Sequence, residues 1–287
     1  MFKTLFSFSG WNLFGASVGV VKNQAINILL NIYFGPIVNT ARGIASQVSS
    51  AVTSFSQNFS TAVRPQIIKL YAKSEIEEMI NFVFKCSKGA AYLTLVFILP
   101  LFFEMPYIMN LWLGQVPQYS IIFTRLILID ALIDSFTNPI GTTAQATGRI
   151  KMYQLIVGSI QIMNLPFSWI ALKLKAPPVS VIIIAIIITI VAFIVRLIIV
   201  SKLVNYSIIN YLKYTIIPFS IVTVCSSIEL FYLNKIDHTN IISLLFITSL
   251  SMFSIIINIF IFGITKYERN DLLDLVKLKL MKYKSIK

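Results

Sequence analysis

Long apolar runs separated by short polar segments fill almost the whole chain. A helix needs about 20 mostly apolar residues to cross the hydrocarbon core of a bilayer, and such runs recur about eight times along the sequence. The predicted spans are Phe6 to Phe34, Thr40 to Tyr71, Ile80 to Phe103, Tyr119 to Gln145, Met152 to Leu174, Val179 to Leu203, Tyr214 to Tyr232 and Ile241 to Thr265. The pattern predicts an all-α integral membrane protein with about eight transmembrane helices.

Composition and charge support this interpretation. The 287-residue chain is 57% hydrophobic and only 12% charged, whereas soluble domains carry about 25% charged residues. Its net charge of +13 would suggest nucleic acid in a soluble protein. Most of the 24 Lys and Arg residues, however, fall in one set of loops and in the C-terminal tail. This asymmetry is typical of cytoplasmic loops and predicts two cytoplasmic termini and no nucleic-acid partner.

The second span carries a polar residue at almost every helical turn. Polar residues inside a span usually face the bundle interior or a water-filled cavity, and a recurrence of three or four residues marks one helical face. The residues of this polar stripe are Arg42, Ser46, Ser49, Thr53, Gln57, Ser60 and Arg64. Helix packing is the alternative, because Ser and Thr are also small interfacial residues. The two arginines and Gln57 exceed what packing needs, so we favour a hydrated lumen.

Charged residues in two other spans raise the question of ion coupling. The first span has Lys22, Asn23 and Asn27 near its middle, and a lysine at that depth is costly unless it is hydrated or paired. The fourth span has Asp130 and Asp134 one turn apart, where two carboxylates repel each other in a low dielectric. This pair is a candidate for ion coupling or, equally, a static partner for Lys22.

The sequence contains no specific catalytic signature. The longest outer loop, Glu104 to Val116, is too short for a folded domain. Cys86 and Cys225 are predicted on different helices, and His238 stands alone in a loop, so we expect no metal site from them. We find no nucleophile, metal cluster or nucleotide-binding loop. We therefore predict a protein that is not an enzyme and that has no cofactor and no metal.

Two stretches of the chain resemble a known family. They are VNTARGIASQVSSAVTSFSQNFSTAVRPQIIKLYA, from Val38 to Ala72, and NLWLGQVPQYSIIFTRLILIDALIDSFTNPIGTTAQATGRIKMYQ, from Asn110 to Gln154. The chain resembles bacterial polysaccharide or O-antigen flippases of the multidrug/oligosaccharidyl-lipid/polysaccharide exporter superfamily. The resemblance implies that an undecaprenyl-pyrophosphate-linked oligosaccharide crosses the bacterial inner membrane by alternating access of two six-helix lobes around a cationic lumen.

The resemblance also gives roles to the polar residues inside the spans. Cations at bilayer depth are expected to neutralise the pyrophosphate, and amide and hydroxyl side chains are expected to hydrogen-bond the sugar. The expected substrate-binding cations are Lys22, Arg42, Arg64 and Arg125. The expected sugar-facing residues are Asn23, Asn27, Ser46, Thr53, Gln57 and Gln161. The residues considered for ion coupling remain Asp130 and Asp134.

The resemblance covers only the second lobe of such a transporter. It implies a six-helix lobe over residues 1–205, two additional transmembrane helices over 206–265 and a basic amphipathic cytoplasmic tail over 266–287, which is expected to lie on membrane lipids. The other half of the lumen is expected from a missing N-terminal lobe or from a second chain.

Three other functions compete with lipid-linked oligosaccharide transport. A multidrug/cation antiporter of the same superfamily suits an acidic lumen, but Lys22, Arg42 and Arg125 at least match Asp130 and Asp134 in number. A membrane-bound polysaccharide polymerase or ligase typically needs a larger outer loop. An inactive fragment that merely inserts in the membrane is the third alternative.

Overall fold

The computed structural model describes residues 2–233, 241–265 and 268–270, with side chains described from residue 9 onward. These residues are almost entirely helical, and no strand occurs among them. The helices are α1 (Phe2–Phe34), α2 (Pro36–Ala72), α3 (Ile76–Leu113), α4 (Ser120–Ser135), α5 (Thr137–Ala146), α6 (Ile150–Ile162), α7 (Asn164–Lys173), α8 (Val179–Val204), α9 (Ile208–Tyr211), α10 (Ile217–Leu233) and α11 (Ile241–Asn258). The predicted tail over 266–287 lies almost wholly outside the described residues.

Six helical segments of the described chain are long and apolar enough to cross a membrane. They are Ser9–Phe34, Ile76–Leu113, Ile150–Lys173, Val179–Val204, Ile208–Leu233 and Ile241–Gly263. This confirms a multi-pass, all-α membrane protein. The other two predicted spans also form helices, α2 and the pair α4 and α5, but neither is among the six apolar segments.

Proline explains where two of the predicted spans are interrupted. The fourth span breaks at Phe136 and the fifth at Met163, each three residues before a proline, Pro139 or Pro166. Proline lacks the backbone N–H that would bond the carbonyl one turn earlier, and its ring clashes with that carbonyl. At the first break the Thr137 hydroxyl donates to the Asp134 carbonyl over 2.8 Å, so an acceptor near the interruption is satisfied.

Helix α2 packs through one side against α1, α3, α4 and α5. Its small residues Ala41 and Ala45 are fully buried, together with Phe123 of α4 and Leu30 of α1. Lipid tails are as apolar as leucine, so helices in a membrane associate through close packing rather than through hydrophobic burial alone. Small residues on α2 permit that close approach and hold its polar faces at fixed positions.

Hydrogen bonds between polar side chains connect α10 to α11, two helices that are mostly apolar. The Asn258 amide donates to Glu229 Oε2 over 2.9 Å and to Ser226 Oγ over 3.1 Å. The Ser254 hydroxyl also donates to Glu229. Because few competing partners exist in lipid, such bonds connect transmembrane helices. The two helices pack on α3 as a unit, and Tyr92 donates to the Gly263 carbonyl over 3.1 Å.

A buried ion pair fastens the end of this helical pair to α3. Lys88 Nζ lies 2.8 Å from Glu268 Oε2, and only 4% of the Lys88 side chain and 13% of the Glu268 side chain are exposed. The backbone N–H of Thr265 also donates to Glu268 over 2.8 Å. Burial by itself would raise the pKa of Glu268, but the hydrogen bonds from Lys88 and Thr265 outweigh it, so this pKa lies below its usual value.

We expect Glu268→Ala to lower the free energy of unfolding by about 3–5 kcal/mol, because it leaves the buried Lys88 ammonium without an anion. Thermal unfolding in detergent micelles measures this loss. The exposed pair Lys73–Glu75 is the matched control, since Glu75→Ala is expected to cost at most about 1 kcal/mol. Equal losses in the two variants would contradict a structural role for the buried pair.

The same pair gives the protein a pH dependence of stability. Because the pKa of Glu268 is lower in the folded state, its contribution is fully present above the pKa of an unfolded glutamate, about 4.3, and is lost as the pH falls through the folded pKa. The difference in unfolding temperature between the wild type and Glu268→Gln is therefore expected to be constant near neutral pH and to shrink below about pH 4.3.

Candidate functional site

The polar stripe of α2 is buried at some positions and exposed at others. Within the polar stripe predicted from the sequence, Arg42, Ser49 and Ser60 are buried, whereas Gln57 and Arg64 are exposed. The members that complete the stripe, Ser46 and Thr53, are half-buried. The stripe therefore lies along the boundary between the packed interior and the open side of α2.

Two polar cavities are lined by residues of α2, and the larger of these two, of about 410 Å³, opens toward the Ala72 end of the helix. Its walls come from α1, α2, α5, α6 and α8 and include Gln57, Arg64, Asn138, Gln154 and Gln161. A glycine on α1 makes room for this arrangement. A Cβ at Gly15 would collide with the Gln154 amide, so only glycine lets that side chain lie across α1. The cavity combines many amide groups with a guanidinium.

Arg64 is held in this cavity by a neutral partner. One of its guanidinium nitrogens donates to Gln145 Oε1 over 2.7 Å, and the Gln145 amide donates in turn to Asn12 Oδ1 over 3.5 Å. No carboxylate within salt-bridge distance of Arg64 is found in the described parts of the chain. A guanidinium without a counter-charge keeps its capacity to bind an anion through several N–H groups.

A second arginine, Arg196 of α8, lines the same cavity. Arg196 is not among the cations that the sequence predicted for the substrate site. Its guanidinium lies 3.4 Å from Asp134 Oδ1, and its side chain is 13% exposed. Asp134 also accepts a hydrogen bond from the Thr137 hydroxyl over 3.1 Å. Within the chain as described, Nε of Arg196 is buried and has no hydrogen-bond partner.

A smaller cavity of about 90 Å³ lies among α1, α2, α4 and α8. Lys22 and Asn23 of α1, Arg42 and Ser46 of α2 and Asp130 of α4 line it. A site needs only about 10–15 Å³ of such space to hold a water, so this cavity is large enough for water around these charges. One carboxylate oxygen of Asp130 is buried without a hydrogen-bond partner among the described residues, and Lys22 lines the same cavity.

Arg42 is fixed against α1 rather than against an acid. Its guanidinium donates to the Asn27 side-chain oxygen, to the Asn23 carbonyl over 3.3 Å and to Asn23 Oδ1 over 3.4 Å. Only 8% of the residue is exposed. The structure thus brings Lys22, Asn23, Asn27, Arg42 and Asp130 together, as the pattern of polar residues had suggested for their helices.

Four predicted site residues line neither cavity, namely Asn27, Thr53, Arg125 and Asp134. Asn27 and Asp134 contact the lining residues Arg42 and Arg196, whereas Arg125 and Thr53 have other partners. Arg125 donates from Nε to the Phe102 carbonyl over 3.0 Å, and its guanidinium carbon lies 5.1 Å from the centre of the Phe102 ring. The Thr53 hydroxyl donates to the Ser49 carbonyl within α2 over 2.9 Å. Arg125 therefore contributes to the packing between α3 and α4, and the Thr53 hydroxyl forms its hydrogen bond within α2.

The linings of the two cavities come within 11 residues of each other along α2, at Ser46 and Gln57, which is about 17 Å at 1.5 Å per residue, whereas their arginines lie farther apart. Arg42 borders the smaller cavity and Arg64 the larger one, and 22 residues of one helix separate them. At 1.5 Å per residue this corresponds to about 33 Å, close to the roughly 30 Å of a hydrocarbon core. Comparisons of the chain with known protein families, with curated proteins and with solved structures find no match, so these two sites carry the functional argument.

Proposed function

We propose that this chain moves an anionic, lipid-linked oligosaccharide across a membrane for the synthesis of a surface polysaccharide. The observation that carries the proposal is the presence of two polar, cation-bearing cavities near opposite ends of α2. An anionic headgroup that crosses a bilayer needs cations along its path inside the hydrocarbon, because an unpaired charge there is costly.

The chemistry of the larger cavity fits both parts of such a headgroup. Arg64 and Arg196 offer N–H groups for a pyrophosphate, which arginine binds through two parallel hydrogen bonds. Gln57, Gln154 and Gln161 offer amides that both donate and accept, as the hydroxyl groups of a sugar require. The sequence expectation for Arg64, Gln57 and Gln161 is retained in this proposal, and Arg196 is added to it.

We further propose eight transmembrane helices with both termini in the cytoplasm of a bacterial cell. This count adds α2 and the interrupted pair α4 and α5 to the six apolar segments. The larger cavity then lies at the cytoplasmic end, because the basic residues Lys69, Lys73 and Arg149 follow its lining helices in sequence. Substrate would enter at Arg64 and Arg196 and leave past Lys22 and Arg42.

A cation antiporter is the second candidate, and one observation favours it. Asp134 borders Arg196 beside the larger cavity with 55% of its side chain exposed, so a carboxylate is accessible to an organic cation there. The arginines Arg64 and Arg196 nevertheless outnumber it at this cavity, and like charges in a binding site select against a cationic ligand.

Deletion of the gene for this chain from its host cell distinguishes oligosaccharide transport from cation antiport. We expect surface polysaccharide to fall to the background level and its lipid-linked precursor to accumulate, because the headgroup no longer reaches the outer leaflet. Extraction of lipid-linked sugars and staining of the cell surface measure the two changes. Heightened sensitivity to organic cations with unchanged polysaccharide would overturn the proposal in favour of the antiporter.

A further inference from the structure

A carboxylate lies on the outer surface of the α10–α11 pair, with buried polar groups behind it. Glu229 is exposed, and its Oε2 accepts hydrogen bonds from the Ser254 hydroxyl and, over 2.9 Å, from the Asn258 amide. Ser226 is fully buried and Asn258 is 5% exposed. We call Ser226, Glu229, Ser254 and Asn258 the Glu229 cluster. It lines neither of the two polar cavities of α2 and is therefore a separate polar site.

The hydrogen bonds of Glu229 hold its carboxyl deep in the bilayer. In sequence Glu229 lies only four residues before the end of α10 at Leu233, a position from which long side chains commonly reach the membrane surface. Its partner Ser254, however, lies 13 residues after the start of the apolar segment Ile241–Gly263 and nine before its end. These separations correspond to about 20 Å and 14 Å at 1.5 Å per residue. The carboxyl is therefore fixed near the middle of a membrane-spanning segment.

The surroundings of Glu229 supply no counter-charge from the described chain. Glu229 is the only charged residue in the sequence of α10 and α11, and no Lys, Arg or His nitrogen of the described residues lies within salt-bridge distance of it. Nearby side chains are apolar and open to lipid, for example Val224, Ile228 and Phe253, which are 58%, 54% and 61% exposed. An ionised carboxylate is costly in such an environment unless a positive charge neutralises it. An ionisable residue at this depth therefore indicates a functional site.

The composition of the Glu229 cluster matches one positive charge. Glu229 contributes one negative charge, and the hydroxyls of Ser226 and Ser254 and the amide of Asn258 are neutral. A monovalent cation leaves the cluster neutral, whereas a divalent cation leaves a net charge in hydrocarbon, which is again costly. The Asn258 amide donates to Glu229 and, over 3.1 Å, to Ser226. Rotation of this amide by half a turn presents its oxygen to a cation instead.

We propose that the Glu229 cluster binds one monovalent cation, a proton or Na⁺, near the middle of the membrane. A proton binds to the carboxylate itself, whereas Na⁺ binds between the carboxylate and the hydroxyl and amide oxygens. Either ion removes the negative charge that α10 otherwise exposes to lipid. Because the cluster lines neither polar cavity of α2, this inference does not rest on the proposed function.

Labelling by a hydrophobic carbodiimide tests the site. Dicyclohexylcarbodiimide enters the bilayer and reacts there with a carboxyl that carries a proton. The full chain is reconstituted in vesicles of neutral phospholipid, treated in Na⁺-free choline chloride, digested and analysed by mass spectrometry. We expect an adduct on Glu229 and its complete loss in Glu229→Gln. Glu75, which pairs with Lys73 and is 40% exposed, is the matched control and is expected to react only with a water-soluble carbodiimide.

Replacement of choline chloride by NaCl at the same ionic strength identifies the ion. Slower labelling of Glu229 in NaCl assigns the site to Na⁺, and an unchanged rate assigns it to the proton. Two results would overturn the cation site. The first is labelling of Glu229 only by the water-soluble reagent, as expected for a carboxylate at the membrane surface. The second is no labelling of Glu229 by either reagent, as expected for a carboxylate paired with a cationic side chain.

Discussion

Replacement of Arg64 and Arg196 together by alanine is expected to lower transport of the lipid-linked substrate roughly a hundredfold or more. Both guanidinium groups line the larger cavity, and a hydrogen bond to a charged group contributes about 1.5–3 kcal/mol. Two such losses amount to at least about 3 kcal/mol, and each 1.4 kcal/mol is about a factor of ten. Each single variant is expected to lose about tenfold or more.

Arg125→Ala is the matched control for these variants. It removes an arginine of the same bundle that contacts Phe102 and lines neither cavity, so transport is expected to remain near the wild-type rate. Initial rates of translocation in reconstituted vesicles, normalised to the amount of folded protein, measure the effect. Normal transport by the double variant, or an equal loss in Arg125→Ala, would contradict a role of the larger cavity in anion binding.

The periodicity of polar residues predicted the right helices. It did not show which of two adjacent polar faces of α2 is turned toward the bundle. Each step along a helix rotates the side chain by about 100°, and α2 has polar residues on two adjacent faces. Ser49 and Ser60 are buried, whereas Ser50 and Ser54 on the next face are exposed. Hydropathy cannot separate these faces, because serine on both has the same chemistry. The choice depends on which face the small residues Ala41 and Ala45 pack against α1 and α4.

Arg196 and Arg125 show that periodicity also leaves the direction of a single side chain undetermined. Arg196 follows the very apolar run from Val179 to Val195 and lies seven residues from the end of its span at Leu203, where positive residues commonly mark a cytoplasmic boundary. Arg125 lies inside a predicted span and was expected to bind the substrate. In the structure Arg196 points into the larger cavity and Arg125 toward a carbonyl of α3. Side-chain direction depends on the neighbouring helices, which composition does not encode.

The cluster around Lys22 was more accessible to prediction. A lysine and an aspartate that are both costly at bilayer depth need each other or water, and this requirement suggested that Lys22 lies close to Asp130 or Asp134. They line one cavity of about 90 Å³ together with Arg42. The strength of the constraint explains this success, since few arrangements satisfy several charges within a bundle, whereas many arrangements satisfy a serine.

Asp130→Asn is expected to make transport independent of a proton or sodium gradient. The Asp130 carboxyl borders the smaller cavity beside Lys22, with one buried oxygen that has no hydrogen-bond partner in the described chain. If a coupling ion binds there, it changes the net charge of the cavity and the attraction of Lys22 and Arg42 for an anion. Asparagine has nearly the same shape and stays neutral, so that change no longer occurs. Translocation into vesicles with an imposed gradient, before and after its collapse by an ionophore, measures the coupling.

Asp134→Asn distinguishes coupling at Asp130 from a general loss of acidity on α4. Asp134 lies one turn away, pairs with Arg196 beside the larger cavity and is half-exposed. Loss of its charge is therefore expected to change the apparent affinity for the anionic substrate. The dependence of transport on the gradient is expected to stay intact. Because Asn at position 134 no longer neutralises Arg196, that affinity is expected to rise. If Asp130→Asn retains the full response to the gradient, Asp130 is instead a static counter-charge for Lys22, and the coupling ion must act elsewhere.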